Sequence, residues 1–402
     1  MTEESKELVE FRQEVAAWLK ENIPADPGII LPQSFMEVGN DDQFNFLLEW
    51  QQKVYEAGYL GMAWPAEYGG GGKPQIFQDI ATEEMVRSRA PFMLNAIGLS
   101  WAGPTILKLG TEEQKKAYVK KILTGEEIWC QGFSEPENGS DLGNAQLRAE
   151  KDGDEFVLNG SKIWTSLGMQ AKRMILLARS IPDAPNKYMG LSFFLSPMDV
   201  DGIEVIPIKK ITGEIGFNET RFTDARIPAS CLVGPEGQGW MVAMAVLAFE
   251  RGADSGQGGG SLMNFMEIGD VIEMAKDCNR DGKPALEDPI IRDQLVSYLI
   301  EQRSLGLTMQ REKIKALLTP ERPMATQLMG KLCSSEYMRR LAAFAVEVQG
   351  TNGNLYIGDP NAPLGGLWQR AQMNAYSATI GGGTSEVQHN IIGERILGLA
   401  KG

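Results

Sequence analysis

Leu8, Phe11, Val15, Trp18 and Leu19 recur at three- and four-residue spacing near the N-terminus, the mark of one apolar helix face. QFNFLLEWQQKVYEAGYLGM, 43–62, repeats the spacing, and WPAEYGGGGKP, 64–74, interrupts it with a loop. In GTEEQKKAYVKKILTG, 110–125, Thr111 and Gln114 have the offset of a capping box, and Gly125 stands where a left-handed residue would end the helix. At Trp129 the pattern changes. RAEKDGDEFVLNGSKIWTS, 148–166, sets β-branched and aromatic residues between Asp152-Gly153 and Asn159-Gly160, and both dipeptides predict hairpin turns. RMILLARS, YMGLSFFLS and IEVIPIKKI follow as short apolar runs split by Pro and Gly. After LVGPEGQGW the helical spacing returns. Asp288 and Pro289 occupy the N-cap and first position of one long helix, and 324–348 predicts another. The expected fold class is α+β and multidomain: an all-α domain over 1–128, a mostly antiparallel β domain over 129–237 and a four-helix-bundle-like domain over 238–402.

The 402 residues suffice for two or three domains, and 43% apolar residues for a large core. A formal net charge of −14 argues against nucleic acid or anionic membrane as a partner, since both select basic surface. No unbroken apolar run reaches the length of a membrane span, and the N-terminus, acidic from its third residue, lacks the basic and apolar regions of a secretory signal. Cys130, Cys231, Cys278 and Cys333 are scattered without a CxxC pair and read as buried free thiols in a reducing, cytoplasmic setting. One histidine, His389, leaves little for a histidine-rich metal site or a Ser-His-Asp triad, and no metal is expected.

The densest chemistry lies in WCQGFSEPENGSDLGNAQLRAEKDGDEFVLNGSKIWTSLG, 129–168. By composition alone, Ser134-Glu135-Pro136 and Gly139-Ser140-Asp141 are turn residues. The stretch resembles the flavin-binding β domain of the acyl-CoA dehydrogenases, whose pattern is a Thr/Ser-Glu-Pro-x-x-Gly-Ser-Asp loop followed by a DG, LNG, K and WTS series. The α–β–α order, the PAEYGGGG loop and the GTSEVQ tail agree with that family too. The resemblance implies a bound FAD. Gln131, Phe133 and Ser134 would then lie along the flavin ring, Gly139 and Ser140 at the pyrophosphate, Trp164 against the ring and Ser166 near its reactive nitrogen. Glycine suits such a loop because it lets backbone approach phosphate closely.

Further cofactor contacts are implied from a neighbouring subunit. VEVQGTNGN resembles the family's Gln-x-x-Gly-Gly-x-Gly loop and maps Glu347, Gly350 and Gly353, with Thr351 in place of a glycine. Thr384 and Glu386 match the tail that touches the adenosine end, and Arg280 in CNRDGKPALEDP is the arginine candidate. Many relatives carry the catalytic base in a Tyr-Glu-Gly-Thr-Ser tail, where this chain has Gly381-Gly382-Gly383. Other branches place the base on a helix in a Leu/Phe-Glu-Arg setting, which LAFERGADSG matches with Glu250 and Arg251. The bland alternative for Glu250-Arg251 is a solvated helix-surface pair. Gly382 would supply a backbone N–H to the thioester oxygen, and Ser385 with Gln388 would form a capping box on the last helix.

The resemblance thus implies α,β-dehydrogenation of an acyl-CoA to the trans-2-enoyl-CoA, with electrons passed to an electron-transfer flavoprotein. A homotetramer or homodimer is expected, or a heterotetramer of two kinds of subunit. Two alternatives stay open, the first because the tail lacks its glutamate. One is altered chemistry on the same scaffold, such as elimination, decarboxylation or oxidation by O₂. The other is a non-catalytic subunit completing a partner's site. The glycines also suggest room for a branched, cyclic or dicarboxylic acyl group.

Overall fold

The computed structural model describes residues 5–24, 28–250, 267–280, 282–311, 314 and 325–401, with Glu250 and 325–327 described by backbone alone. The chain forms two compact units, 1–264 and 265–402.

In the first unit, helices α1 (Lys6–Asn22), α2 (Asp41–Glu56), α3 (Gln75–Arg87), α4 (Gly103–Leu109) and α5 (Glu112–Thr124) precede the strands. The apolar face read at the N-terminus is real: Phe11, Val15 and Leu19 are buried, and Leu8 and Trp18 pack against the same core. Helix α5 has its Thr111–Gln114 capping box, and Gly125 closes it in the left-handed conformation at φ +72°.

Among the described residues eight strands follow: β1 (Trp129–Gly132), β2 (Arg148–Asp152), β3 (Glu155–Lys162), β4 (Arg173–Arg179), β5 (Leu191–Pro197), β6 (Ile203–Ile208), β7 (Phe217–Pro228) and β8 (Leu232–Val233). Their order is β6-β7-β3-β2-β4-β5-β8, with β1 added on β4. The β1–β4 and β2–β4 pairings are parallel and the others antiparallel. Strands β4 and β5 are covered on both faces. Ile175, Leu177, Phe193 and Leu195 join the core shared with the N-terminal helices, while Met174, Leu176, Ala178 and Phe194 join a second core on the opposite face. Burial on both faces explains why these strands read as unbroken apolar runs rather than alternating ones. Helix α6 (Gly239–Glu250) also belongs to the first core through Val242, Ala243, Val246 and Phe249. A Cβ at Gly239 would meet the backbone of Ser192 and Phe193 at 2.4 Å, so only glycine lets the helix start this close to β5.

One of the two expected hairpin turns is different. Gly153, at φ +61°, does turn β2 into β3. Asn159-Gly160 instead lies inside β3, where Asn159 faces a bulge in β7 made by the two residues Thr223 and Asp224, with Gly160 at φ +137°. The Asn159 side chain accepts from Asp224 N (3.0 Å) and donates to the Asp224 carboxylate (3.1 Å), so its turn-forming amide is spent across the ladder. A Cβ at Gly160 would stand 3.0 Å from Leu147 Cα.

The second unit contains α7 (Ile268–Asp277), a hairpin of β9 (Asn279–Arg280) and β10 (Lys283–Pro284), and helices α8 (Pro289–Gln310), α9 (Ala325–Val348), α10 (Leu367–Ile380) and α11 (Ser385–Ile391). Asp288 caps α8 by accepting from Ile290 N and Ile291 N, with Pro289 at the first position as expected. Its core gathers Val271, Met274, Leu295, Tyr337, Leu341, Phe344 and Trp368. The four cysteines are free thiols, three buried and Cys333 half-buried. Among the described residues no helix is long and apolar enough to cross a membrane.

Candidate functional site

The first unit brings seven of the sequence candidates onto two adjoining segments. Gln131 ends up on β1, and Phe133, Ser134, Gly139 and Ser140 lie on the loop that leaves it. Trp164 and Ser166 lie just beyond β3. The segments are stitched together: Ile163 N donates to Ser134 O (2.9 Å), and Lys162 Nζ donates to Phe133 O (3.0 Å). The Phe133 ring is buried edge-on against Phe193, at 6.1 Å between centroids.

Two buried polar devices hold this arrangement. In the first, Lys162 and Glu135, 0% and 6% exposed, pair at 2.8 Å. Glu135 also accepts from Gln146 N (2.6 Å) and Leu147 N (2.8 Å), which closes the loop 135–147 on itself. Burial alone would raise the Glu135 carboxyl; Lys162 and the two backbone donors outweigh it and hold it below the ordinary carboxylate range. Burial draws the Lys162 ammonium down, and Glu135 opposes that pull. In the second device, Thr165 N and Oγ1 donate to Asn218 O (2.9 and 2.8 Å), and Asn218 Nδ2 returns a bond to Thr165 O (2.8 Å). The Thr165 and Thr220 hydroxyls lie 2.9 Å apart. This clamp fixes Trp164 at φ +62°, a strained setting for a tryptophan, with its ring edge-on to Phe217.

What these devices present is unfinished within the unit. Trp164 is 55% exposed although both its neighbours in the clamp are buried. Gln131 Nε2 is buried and finds no acceptor among the described residues. Gly139 lies exposed, and a Cβ there would meet nothing within 4 Å, so packing in this unit does not demand glycine. An aromatic face, an idle amide donor and an uncrowded glycine fit a planar heteroaromatic ring with a phosphate tail, and so fit the expected FAD. Ser140 is exposed beside Asp141, whose carboxylate pairs with Lys187 (2.6 Å), and Ser166 is buried. Sequence reasoning missed Glu135, Lys162, Thr165, Asn218 and Thr220. A signal existed for one of them: Lys162 is in phase with the inward Phe156 and Leu158, and a lysine on that face requires an acid.

Of the other candidates, all but Glu250 and Arg251 belong to the second unit. Glu347 is exposed in the last turn of α9, and Gly350 follows in the left-handed region at φ +59°. Gly353 is demanded by packing, because a Cβ would lie 2.6 Å from Val346 O. Arg280 sits on β9 with its Nε 3.9 Å from the Asp288 carboxylate, the same side chain that caps α8. Gly382 and Gly383 adopt φ +66° and +92°. Their carbonyls accept from Gln388 Nε2 (2.9 Å) and Lys331 Nζ (2.6 Å).

The expected Ser385–Gln388 capping box is not what starts α11. Thr384 is the N-cap, in extended conformation, accepting from Val387 N at 3.2 Å. The Ser385 hydroxyl donates to Glu336 (2.7 Å), a charge-assisted bond that outcompetes a cap. Glu386 is exposed, and its own backbone N–H together with the Thr384 hydroxyl holds its carboxyl below the ordinary value. Glu250 is the last residue of α6, with its side chain outside the described residues, as is all of Arg251.

Three sequence models cover nearly the whole chain: acyl-CoA dehydrogenase N-terminal domain over 5–126, middle domain over 130–225 and C-terminal domain over 237–397. The chain is 37% identical to Acyl-CoA dehydrogenase IpdE1 of Mycolicibacterium smegmatis over 98% of each sequence. Among solved structures it is similar to the Tcur3481-Tcur3483 steroid ACAD, at TM-score 0.81 and 29% identity over 99% of each chain. It is also similar to the ChsE4-ChsE5 complex of Mycobacterium tuberculosis, at TM-score 0.80 and 26% identity over 100% of each chain.

Proposed function

The chain belongs to the acyl-CoA dehydrogenase family, and from that premise we propose that it oxidises an acyl-CoA thioester to the trans-2-enoyl-CoA and passes the electrons to an electron-transfer flavoprotein. The enzyme is a flavoprotein oxidoreductase whose cofactor is FAD. The observation that carries the reading is Trp164, a tryptophan left 55% exposed by a clamp of buried hydrogen bonds.

In this reading Gln131, Phe133, Ser134, Trp164 and Ser166 hold the ring of FAD, and Gly139 and Ser140 its pyrophosphate. Arg280, Glu347, Gly350, Gly353, Thr384 and Glu386 serve the FAD of a neighbouring subunit. When bound, FAD supplies the acceptor for the β-hydrogen. The Glu250 carboxylate takes the α-proton, with Arg251 beside it in sequence. A proton next to a thioester is too weakly acidic for a carboxylate alone, so the negative charge that grows on the carbonyl oxygen needs a donor; Gly382 N–H provides one. Substrate that excludes water from Glu250 raises its pKa toward a useful value for a general base.

The acyl group proposed is bulky and cyclic. Likeness to the steroid ACAD and the side-chain-free Gly381-Gly382-Gly383 tail both support that class. A second reading places the active enzyme in a complex of two different chains, favoured by the likeness to the ChsE4-ChsE5 complex. The test is direct. Purified protein should be yellow, and adding acyl-CoA without oxygen should bleach the flavin band and yield enoyl-CoA. A colourless protein that gains activity only on mixing with a second family member supports the two-chain reading. A yellow protein bleached by no acyl-CoA, straight or cyclic, rejects the dehydrogenase assignment.

A further inference from the structure

We infer that Glu135 and Lys162 are positioning residues for the flavin: a buried pin that keeps the segments 131–134 and 164–166 in register. The inference rests on the assignment of FAD to those segments.

The pin sits where the two segments meet. Glu135 directly follows Ser134, and Lys162 stands two residues before Trp164. From that position Lys162 Nζ reaches both the Glu135 carboxylate (2.8 Å) and the Phe133 carbonyl (3.0 Å), so one ammonium ties the two segments at the residues on either side of Ser134. The neighbouring Ile163 N–Ser134 O bond continues the same seam toward Trp164.

The carboxylate also orients the far end of the loop. Glu135 Oε1 accepts from Leu147 N and Oε2 from Gln146 N, at the far end of the loop. The Glu135 backbone exchanges bonds with Asn138 at 3.0 and 3.1 Å, closing the turn from which Gly139 and Ser140 project. One ion pair therefore sets the ring-facing strand end, the tryptophan segment and the glycine arm together.

A buried ion pair is seldom more stabilising than an apolar pair of equal volume. Cohesion alone would not select this one. An apolar replacement would strand Phe133 O, Gln146 N and Leu147 N, three groups whose directions define the loop.

The test uses the holoenzyme, diluted stepwise, with released FAD read by its fluorescence. Three variants accompany wild type. Glu135→Asp keeps the charge but retracts it. The double variant Glu135→Gln with Lys162→Met is charge-neutral. Arg12→Met with Glu84→Gln removes another ion pair of the same unit, 2.8 Å long, between α1 and α3. The first two should raise the Kd for FAD about ten-fold or more, by analogy with the roughly 10–100-fold cost of losing a group that orients a metal's ligands. They should also change the visible circular dichroism of the bound flavin. The control should lower the melting temperature and leave FAD affinity at the wild-type value. Wild-type FAD affinity in Glu135→Asp overturns the inference, whether or not the double variant folds. So does an equal loss of FAD in the control, which would mean general destabilisation. A wild-type protein that holds no FAD would instead defeat the functional reading beneath it.

Discussion

The loop 133–147 of the first unit and the glycine tail of the second are both short irregular segments, but different parts of the chain hold them. The loop is fixed by buried side chains: Glu135 with Lys162, and Thr165 with Asn218 and Thr220. The tail is fixed through its main chain, with Gly382 O and Gly383 O accepting from Gln388 and Lys331 while both glycines adopt left-handed angles. A loop specified by side chains writes itself into sequence as a recognisable string. A tail specified by backbone carbonyls constrains only conformation, so its residues are free to differ where chemistry allows. Loss of the tail glutamate is tolerable on those terms, provided that another carboxylate serves.

Three substitutions probe that contrast, in falling order of effect. Lys162→Met leaves the Glu135 carboxylate buried without its counter-ion, and should cost about 3–5 kcal/mol in denaturant unfolding of the first unit. A cost near zero would mean that the loop is held by its backbone after all. Gly382→Ala should cost about 1–2 kcal/mol through left-handed strain alone, while the bond from Gln388 to its carbonyl persists. A neutral result would show that the tail can relax out of that conformation. Thr384→Ala should remove about 1 kcal/mol by loss of the α11 cap. In this case Ser385→Ala serves as the comparison, acting through Glu336 rather than the helix start.

Much of the fold was legible because local chemistry and tertiary packing agree. Thr111 and Gln114 cap α5, Asp288 caps α8 and Gly153 turns a hairpin, each as its spacing implies. Where a residue's partner is distant in sequence, the reading failed. Asn159 bonds across to Asp224, sixty-five positions away, and faces a bulge in β7 instead of making a turn. Strand β7 buries Asn218 and Thr220 on its inward face, so its alternation is written in polar residues and escapes an apolar count. Glu135 looked like a turn residue because its lysine lies twenty-seven positions on. The candidate residues of the flavin loop were found through family resemblance, and the groups that hold them in place through geometry alone.

The assignment of the base to Glu250 is the claim on which the rest of the chemistry depends. It is tested most directly by mixing the FAD-loaded Glu250→Gln variant with an acyl-CoA that bleaches wild type, and following the flavin band in a stopped-flow instrument without oxygen. With Glu250 as the base, the variant retains FAD and acyl-CoA binding, and its bleaching is slowed by at least about 10²-fold, the scale of a general base. Bleaching at the wild-type rate would contradict that assignment and send the search for the base elsewhere in the chain.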